Sequence, residues 1–155
     1  MSTPSASDCF VCRKHRGEFE VPGGLIYEDD LIAVSHAQLW DDETEHYLGH
    51  LFVEPKRHAP GLGDLTEEEA QAIGLWTSRV ARALMETEGG EFVYAFVLGD
   101  GVPHVHVHVI VRHPGAPREY WGPKVDEWPE APHGGETEIT RVADRVRAFL
   151  REHCG

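Results

Sequence analysis

The sequence predicts an α+β domain, and three observations carry that prediction. Pro103-His104-Val105-His106-Val107-His108-Val109-Ile110 alternates histidine with valine, the period of a strand with one buried face. Residues 65–90 hold an apolar stripe at helical spacing between a start and a stop signal. Short apolar runs bounded by acidic or glycine turns lie on either side, as strands do.

Along the chain, Met1 to Ser7 lacks the basic start and apolar stretch of a secretory leader, so residues 1–8 are expected to form a short disordered segment. Arg13-Lys14-His15-Arg16-Gly17 has no amphipathic helix period. Leu25 to Asp30 and Leu31 to Ser35 read as two short strands around an acidic turn. Leu39 to Glu45 holds Asp41, Asp42, Glu43 and Glu45 and reads as a solvated loop rather than a metal site. His50 to Val53 resumes a strand. Thr66 then serves as N-cap with Glu69 at the third helical position, a capping box. Ile73, Trp76, Val80 and Leu84 form the buried stripe, and Gly89-Gly90 ends the helix. Phe92 to Leu98 reads as a buried strand, and Gly99-Asp100-Gly101 turns into the histidine run.

After His113 the composition shifts. Pro114, Pro117, Pro123, Pro129 and Pro132, with several glycines, preclude regular structure. Trp121 and Trp128 lie here, to pack across a partner subunit, over a nucleobase or on the domain's own core. Thr140 to His153, with Val142, Val146, Phe149 and Leu150 on one face, reads as a closing helix. No repeat or second domain is evident.

Composition narrows the function classes. A chain of 155 residues buries about 68–70% of its unfolded surface, enough for one core. No apolar run approaches the roughly 18 residues of a membrane span. The formal charge of −13 opposes long nucleic acids, whose phosphates it repels, while leaving room for a small nucleotide held by local donors. The cytosol is the expected compartment.

Two motifs carry chemistry. In a strand His104, His106 and His108 share one side at steps of roughly 6.6–7 Å, close enough to surround one substrate. Histidine titrates near neutrality, ligates metals and acts as a nucleophile. A merely half-buried strand would more often fill such a face with Thr, Lys or Glu, and three histidines on one catalytic zinc is a further reading. The second motif, Cys9-Phe10-Val11-Cys12, stands in a chain with only 3 cysteines, which argues against a disulfide framework. Two thiolates can grip a zinc but do not complete its shell, and His58 and His104 are the chosen completing ligands. A redox pair, which needs its first cysteine at a helix N-terminus, and two inert or reactive thiols are the alternatives.

His104-Val-His-Val-His108-Val-Ile110 resembles the signature of the histidine triad superfamily of nucleotide hydrolases and transferases. Gly49-His50-Leu51-Phe52-Val53-Glu54-Pro55-Lys56-Arg57-His58 is similar to the family's upstream segment, and Cys9-x-x-Cys12 sits where its zinc-bearing bacterial branch places a pair. The resemblance covers residues 9–112, with 113–155 as a tail belonging to the same domain or to a dimer interface. It implies an antiparallel five-stranded sheet, a main helix and a C-terminal tail helix. It makes His106 the nucleophile toward a nucleotide α-phosphorus, gives His108 a phosphate oxygen or the leaving group, and lets His50 assist. A structural zinc is implied on Cys9, Cys12, His58 and His104. The substrate class is nucleoside phosphoramidates or dinucleoside polyphosphates, and a homodimer is expected. Where relatives carry Gln-Ser before the triad, this chain has Asp100-Gly101. These, with His108 and Arg112, are the expected substrate-binding positions, and Arg118 is a further source of positive charge. A non-catalytic nucleotide-binding regulatory protein is the alternative.

Overall fold

Five short runs pair into one antiparallel sheet. They are β1 (Leu25–Glu28), β2 (Ile32–His36), β4 (His50–Pro55), β5 (Phe92–Phe96) and β6 (Val107–Arg112), in the order β1-β2-β4-β6-β5. A computed structural model describes residues 5, 6 and 8–154; of the leader expected over 1–8, residues 1–4 and 7 lie outside the described residues. The remaining elements are α1 (Phe10–His15), the two-residue strands β3 (His46–Tyr47) and β7 (His133–Gly134), α2 (Glu67–Glu88) and α3 (Glu136–Cys154). The fold is thus the α+β arrangement the sequence predicts, with a main helix and a C-terminal helix on a five-stranded sheet.

The alternation along β4 and β6 decides which face does what. Leu51, Val53, Val107, Val109 and Val111 enter the core beneath α2 and α3, against Ile73, Trp76, Val80, Leu84, Val142 and Val146. Their neighbours of opposite parity (His50, Phe52, Glu54, His106, His108, Ile110) face the other side. The α2 N-terminus is built as expected: the Thr66 hydroxyl accepts from Glu69 N–H at 3.1 Å while the Glu69 carboxylate accepts from Thr66 N–H at 2.8 Å. Gly89 ends the helix in the left-handed region at φ 64°.

Four expectations change. Residues 10–15 form a helix despite their poor period, because a six-residue helix needs only one buried side, here Val11, Cys12 and Lys14. Phe92 to Leu98 is an edge strand rather than a buried one: β5 pairs only with β6, and Phe92 and Leu98 are 53% and 66% exposed. The histidine run is not one continuous strand, since β6 begins at Val107 and residues 101–104 form a bend. The tail also holds more structure than its prolines suggest. Short 3-10 turns at Arg118–Tyr120 and Gly122–Glu127 lead to β7, and α3 starts at Glu136, four residues before the expected Thr140. Glu136 and Glu138 in its first turn suit the positive end of the helix dipole. The tail covers part of the second sheet face, where Val125 and Ala131 bury Ile110 and Tyr47, and Trp128 packs against them.

Candidate functional site

The bend before β6 sends His104 and His106 in different directions. His104 is fully buried, and its Nε2–H donates to Pro55 O at 2.7 Å. A carbonyl only accepts, so this bond fixes the proton on Nε2 and leaves the Nδ1 lone pair free. Nδ1 lies 3.4 Å from the Sγ of both Cys9 and Cys12, and His58 Nδ1 lies 3.6 Å from Cys12 Sγ. All four ligand atoms fall within 4.8 Å of one another, a Cys2His2 cluster with the donor set zinc prefers. α1 brings both cysteines to the sheet, and β4 leads to His58.

Cys9 stands at the N-cap of α1, the position a redox pair requires of its first cysteine, while the two facing histidines complete a zinc donor set. Burial, reinforced by Cys9, pushes the Cys12 thiol up to about 11. Burial also pulls His104 down to about 4, keeping its ring neutral and its Nδ1 available. A cation among these four donors would stabilise the thiolates that burial otherwise disfavours.

His106 turns to the open face. Its Nδ1–H donates to His104 O at 2.7 Å, so the lone pair sits on Nε2 at the other side of the ring. His108 lies beside it with ring centroids 5.1 Å apart, and its Nδ1 is 3.0 Å from His50 Nε2. His50 is held by its neighbour: Gly49 has φ 90°, and a side chain there would collide with Val111. Gly49 N–H donates to His36 Nε2 at 3.0 Å, while His36 Nδ1–H donates to Ala37 O at 2.8 Å. Burial lowers His36 and His108 to about 4 and His50 well below its ordinary value, so this histidine group is neutral at pH 7.

Beside His106 a slot opens between Phe10, Trp40, Phe52 and Val102. Gln38 lines it, is 7% exposed, and has no hydrogen-bond partner for either amide atom. Lys14 and Glu54 close its floor as a buried pair at 2.8 Å, joined by His15 at 3.0 Å. Burial raises the Glu54 carboxyl, but Lys14 and His15 override it and hold it at about 2.

Of the positions singled out in the sequence, Cys9, Cys12, His58 and His104 converge on one cluster, and His50, His106 and His108 on a second. Asp100 and Gly101 are exposed in the bend that precedes the triad. Arg112 does not reach the histidines. It lies at the far end of β6, its guanidinium stacked 3.7 Å over Trp121 and bonded to the Tyr94 hydroxyl. Arg118 stacks on the same Trp121 ring at 4.9 Å. Sequence reasoning missed Lys14, Gln38, His46 and Glu54. Gln38 and Glu54 carried one legible signal, a polar side chain within an otherwise apolar stretch; Lys14, in a basic run, and His46, after an acidic loop, carried none.

The architecture recurs widely. The structure of a Zn-bound histidine triad family protein from Mycobacterium smegmatis superimposes with a TM-score of 0.69 at 22% identity, over 96% of this chain and 99% of that one. A purine nucleoside phosphoramidase of Escherichia coli (strain K12) is 28% identical over 105 residues, covering 63% of this chain and 83% of the enzyme. A bis(5'-adenosyl)-triphosphatase of Dictyostelium discoideum is 37% identical over 70 residues, 41% of this chain and less than half (46%) of that protein. Among the described residues no helix is long and apolar enough to cross a membrane. The HIT domain family model matches residues 18–115, from ahead of β1 through the histidine run, and the chain belongs to that family.

Proposed function

We propose that this chain is a nucleotidyl hydrolase or transferase that cleaves nucleoside phosphoramidates or dinucleoside polyphosphates through a covalent nucleotidyl-His106 intermediate. One observation carries the reading: the Nδ1–H bond from His106 to His104 O turns Nε2 to the open face, beside His108, which burial keeps neutral. A neutral imidazole can displace a leaving group from the α-phosphorus, splitting one difficult hydrolysis into two displacements. His108 hydrogen-bonds a phosphate oxygen or protonates the departing group, and His50 supports His108 through their 3.0 Å contact. The nucleoside lies over the rim of the Phe10–Trp40–Phe52 slot, and Gln38, which lines it, supplies an unpaired donor and acceptor. Gly101 leaves backbone N–H groups for the phosphate. Asp100 turns away from the phosphate or meets a ribose hydroxyl. Arg112, committed to Tyr94 and Trp121, shapes the tail rather than the phosphate site.

Cys9, Cys12, His58 and His104 hold a structural zinc in this reading. When bound, the ion joins α1 to the sheet and, with four protein ligands, leaves no position for a substrate water. The unpaired edge of β5, with its exposed Phe92, is the surface on which two copies pair into a homodimer. Residues 113–155 belong to the same domain as residues 9–112, and the protein works in the cytosol.

The test is intact mass after incubation with a panel of both substrate classes and an alkaline quench, because phosphohistidine bonds are acid-labile. A nucleotidyl adduct is expected on the wild type and absent from His106→Ala, whose turnover falls at least about 10³-fold. Undiminished turnover by a clean His106→Ala preparation would reject the nucleophile. Nucleotide binding with neither adduct nor product would favour the regulatory protein.

A further inference from the structure

The histidine row does not stop at His50. His46, on β3, places its Nε2 3.0 Å from His50 Nδ1, with the two rings stacked at 5.1 Å between centroids. Its own Nδ1 faces the Glu43 carboxylate, Oε2 at 3.5 Å. The other oxygen of that carboxylate is fixed, because Glu43 Oε1 accepts from Trp40 N–H at 2.9 Å. Three imidazoles therefore run in file from the open face to a carboxylate whose side chain is 41% exposed. Around His46 the further titratable groups are the edge of His36 from β2, with centroids 6.4 Å apart, and Asp126 from the second 3-10 turn.

We propose that Glu43 and His46 are positioning residues that set the protons of the histidine row and carry the reaction's proton between His108 and the acidic loop. This rests on the hydrolase reading above. An ionised carboxylate only accepts, so Glu43 draws the His46 proton to Nδ1 and leaves His46 Nε2 as an acceptor. His50 must then hold its proton on Nδ1 to meet His46, and its Nε2 accepts in turn. His108 likewise holds its proton on Nδ1 and presents a bare Nε2 to the site. Each ring thus inherits its tautomer from the one before it, and the carboxylate decides all three.

The same file moves a proton without moving an atom far. When water attacks the nucleotidyl group, its oxygen bonds to phosphorus, the P–N bond breaks, and that electron pair returns to His106 Nε2. The water's proton goes to His108 Nε2. The Nδ1 proton of His108 passes to His50 Nε2, that of His50 to His46 Nε2, and that of His46 to Glu43 or solvent. Before the first displacement His108 Nε2 takes a proton from solvent, each ring passes its Nδ1 proton to the next, and His46 gives its own to Glu43 or solvent. The file then runs in reverse and delivers the Nε2 proton of His108 to the leaving group. After water attack, His46 Nδ1 regains a proton from Glu43 or solvent, each ring passes its Nε2 proton back toward the site, and His108 Nε2 releases one to solvent. The row thus returns to its resting order.

The full chain is tested as His46→Ala, His46→Gln and Glu43→Gln, with thermal melts to confirm folding. His46→Ala should lower kcat about 10–100-fold with little change in KM, the size of effect when the partner of a working histidine is removed. Added imidazole should restore part of that loss. Glu43→Gln, at an exposed position that keeps the Trp40 bond, should lower kcat about two- to fivefold. In the wild type a solvent proton inventory should be curved, and in His46→Ala linear. Nitrogen-15 NMR of the histidines supplies a readout that needs no turnover: wild-type His50 and His108 should carry their protons on Nδ1, with that order lost in His46→Ala. A wild type inactive on every substrate but showing this order would sink the hydrolase reading and leave the row intact. A kcat within twofold of wild type in folded His46→Ala, or an Nε2 proton on resting His108, overturns the proposal.

Discussion

His104 and His106 stand two residues apart in the same alternating run, yet every ring nitrogen of the first is spent and one of the second is left open. His104 gives Nε2–H to Pro55 O and turns Nδ1 on two thiols in a buried cluster. His106 gives Nδ1–H to His104 O and keeps Nε2 on the open sheet face. A backbone carbonyl selects each tautomer, and the two carbonyls select opposite ones. The histidines are the same chemically; what differs is which nitrogen the main chain claims. Backbone geometry rather than residue type therefore decides which ring nitrogen faces the buried cysteines and which faces the open sheet, and the break in the strand before Val107 makes the separation possible.

The widest way to open that difference is to empty the closed cluster. Replacing both Cys9 and Cys12 with serine should abolish stoichiometric zinc and destabilise the fold by about 5 kcal/mol or more, since metal affinity at such sites is folding free energy. Metal analysis and thermal melts in parallel check this. Full zinc occupancy in the double variant would instead assign the metal to the triad.

Next in size is the joint between the two regions. Lys14 sits on α1 two residues past Cys12, and Glu54 on β4 two residues past Phe52; both side chains are 2% exposed. Lys14→Met leaves the Glu54 carboxylate buried without its cation and should cost about 3–5 kcal/mol in denaturant melts. Turning Glu54 as well to an apolar residue should recover most of the loss. A single variant as costly as the double would mean that packing, not charge, holds α1 to the sheet.

Acid separates the regions by pH. The unfolded chain protonates His36, His50 and His108 near 6.5, but burial keeps His36 and His108 neutral down to about 4 and holds His50 well below its ordinary value. Their contribution is fully present above about pH 6.5 and drains as pH falls toward 4, because the unfolded state binds the protons first. Glu54 behaves as a depressed acid: its contribution holds above the unfolded value of about 4.3 and is lost only as pH falls toward about 2. Melting temperature should therefore decline in two limbs. Most of the upper limb should persist in the double serine variant, since His36, His50 and His108 lie outside the cysteine cluster and only His104, also lowered to about 4, lies within it. A flat profile down to pH 4.5 would contradict the buried neutral row.

Sequence reading went furthest where one period or one spacing sufficed. The Thr66–Glu69 cap, the α2 stripe and the convergence of Cys9, Cys12, His58 and His104 were all legible. Missing were features set by elements meeting across the fold. His46 is polar in a polar loop and gains meaning only because Gly49 turns β3 back toward β4. Lys14 lies in a run with no amphipathic period, and only the packing of α1 buries it against Glu54. The break at Val107 was hidden because alternation continues in sequence after the backbone has left the strand. Periodicity reports which side a residue prefers, not where pairing begins.

The smallest expected effect concerns the turn that leads into both regions. Asp100 is exposed and shortly precedes the run that carries His104 and His106. A carboxylate near an anionic phosphate repels it, and a solvated one does so weakly. Asp100→Asn should lower KM for an anionic nucleotide about two- to fivefold with kcat nearly unchanged, and the gain should shrink as salt screens it. Zinc content and melting temperature should stay put, since the substitution touches neither cluster. If KM rises instead and salt leaves the change alone, Asp100 is accepting a hydrogen bond from the substrate, as a ribose hydroxyl would provide. That outcome would move the residue from a tolerated repulsion to a recognition contact and extend the open face by one side chain toward the sugar.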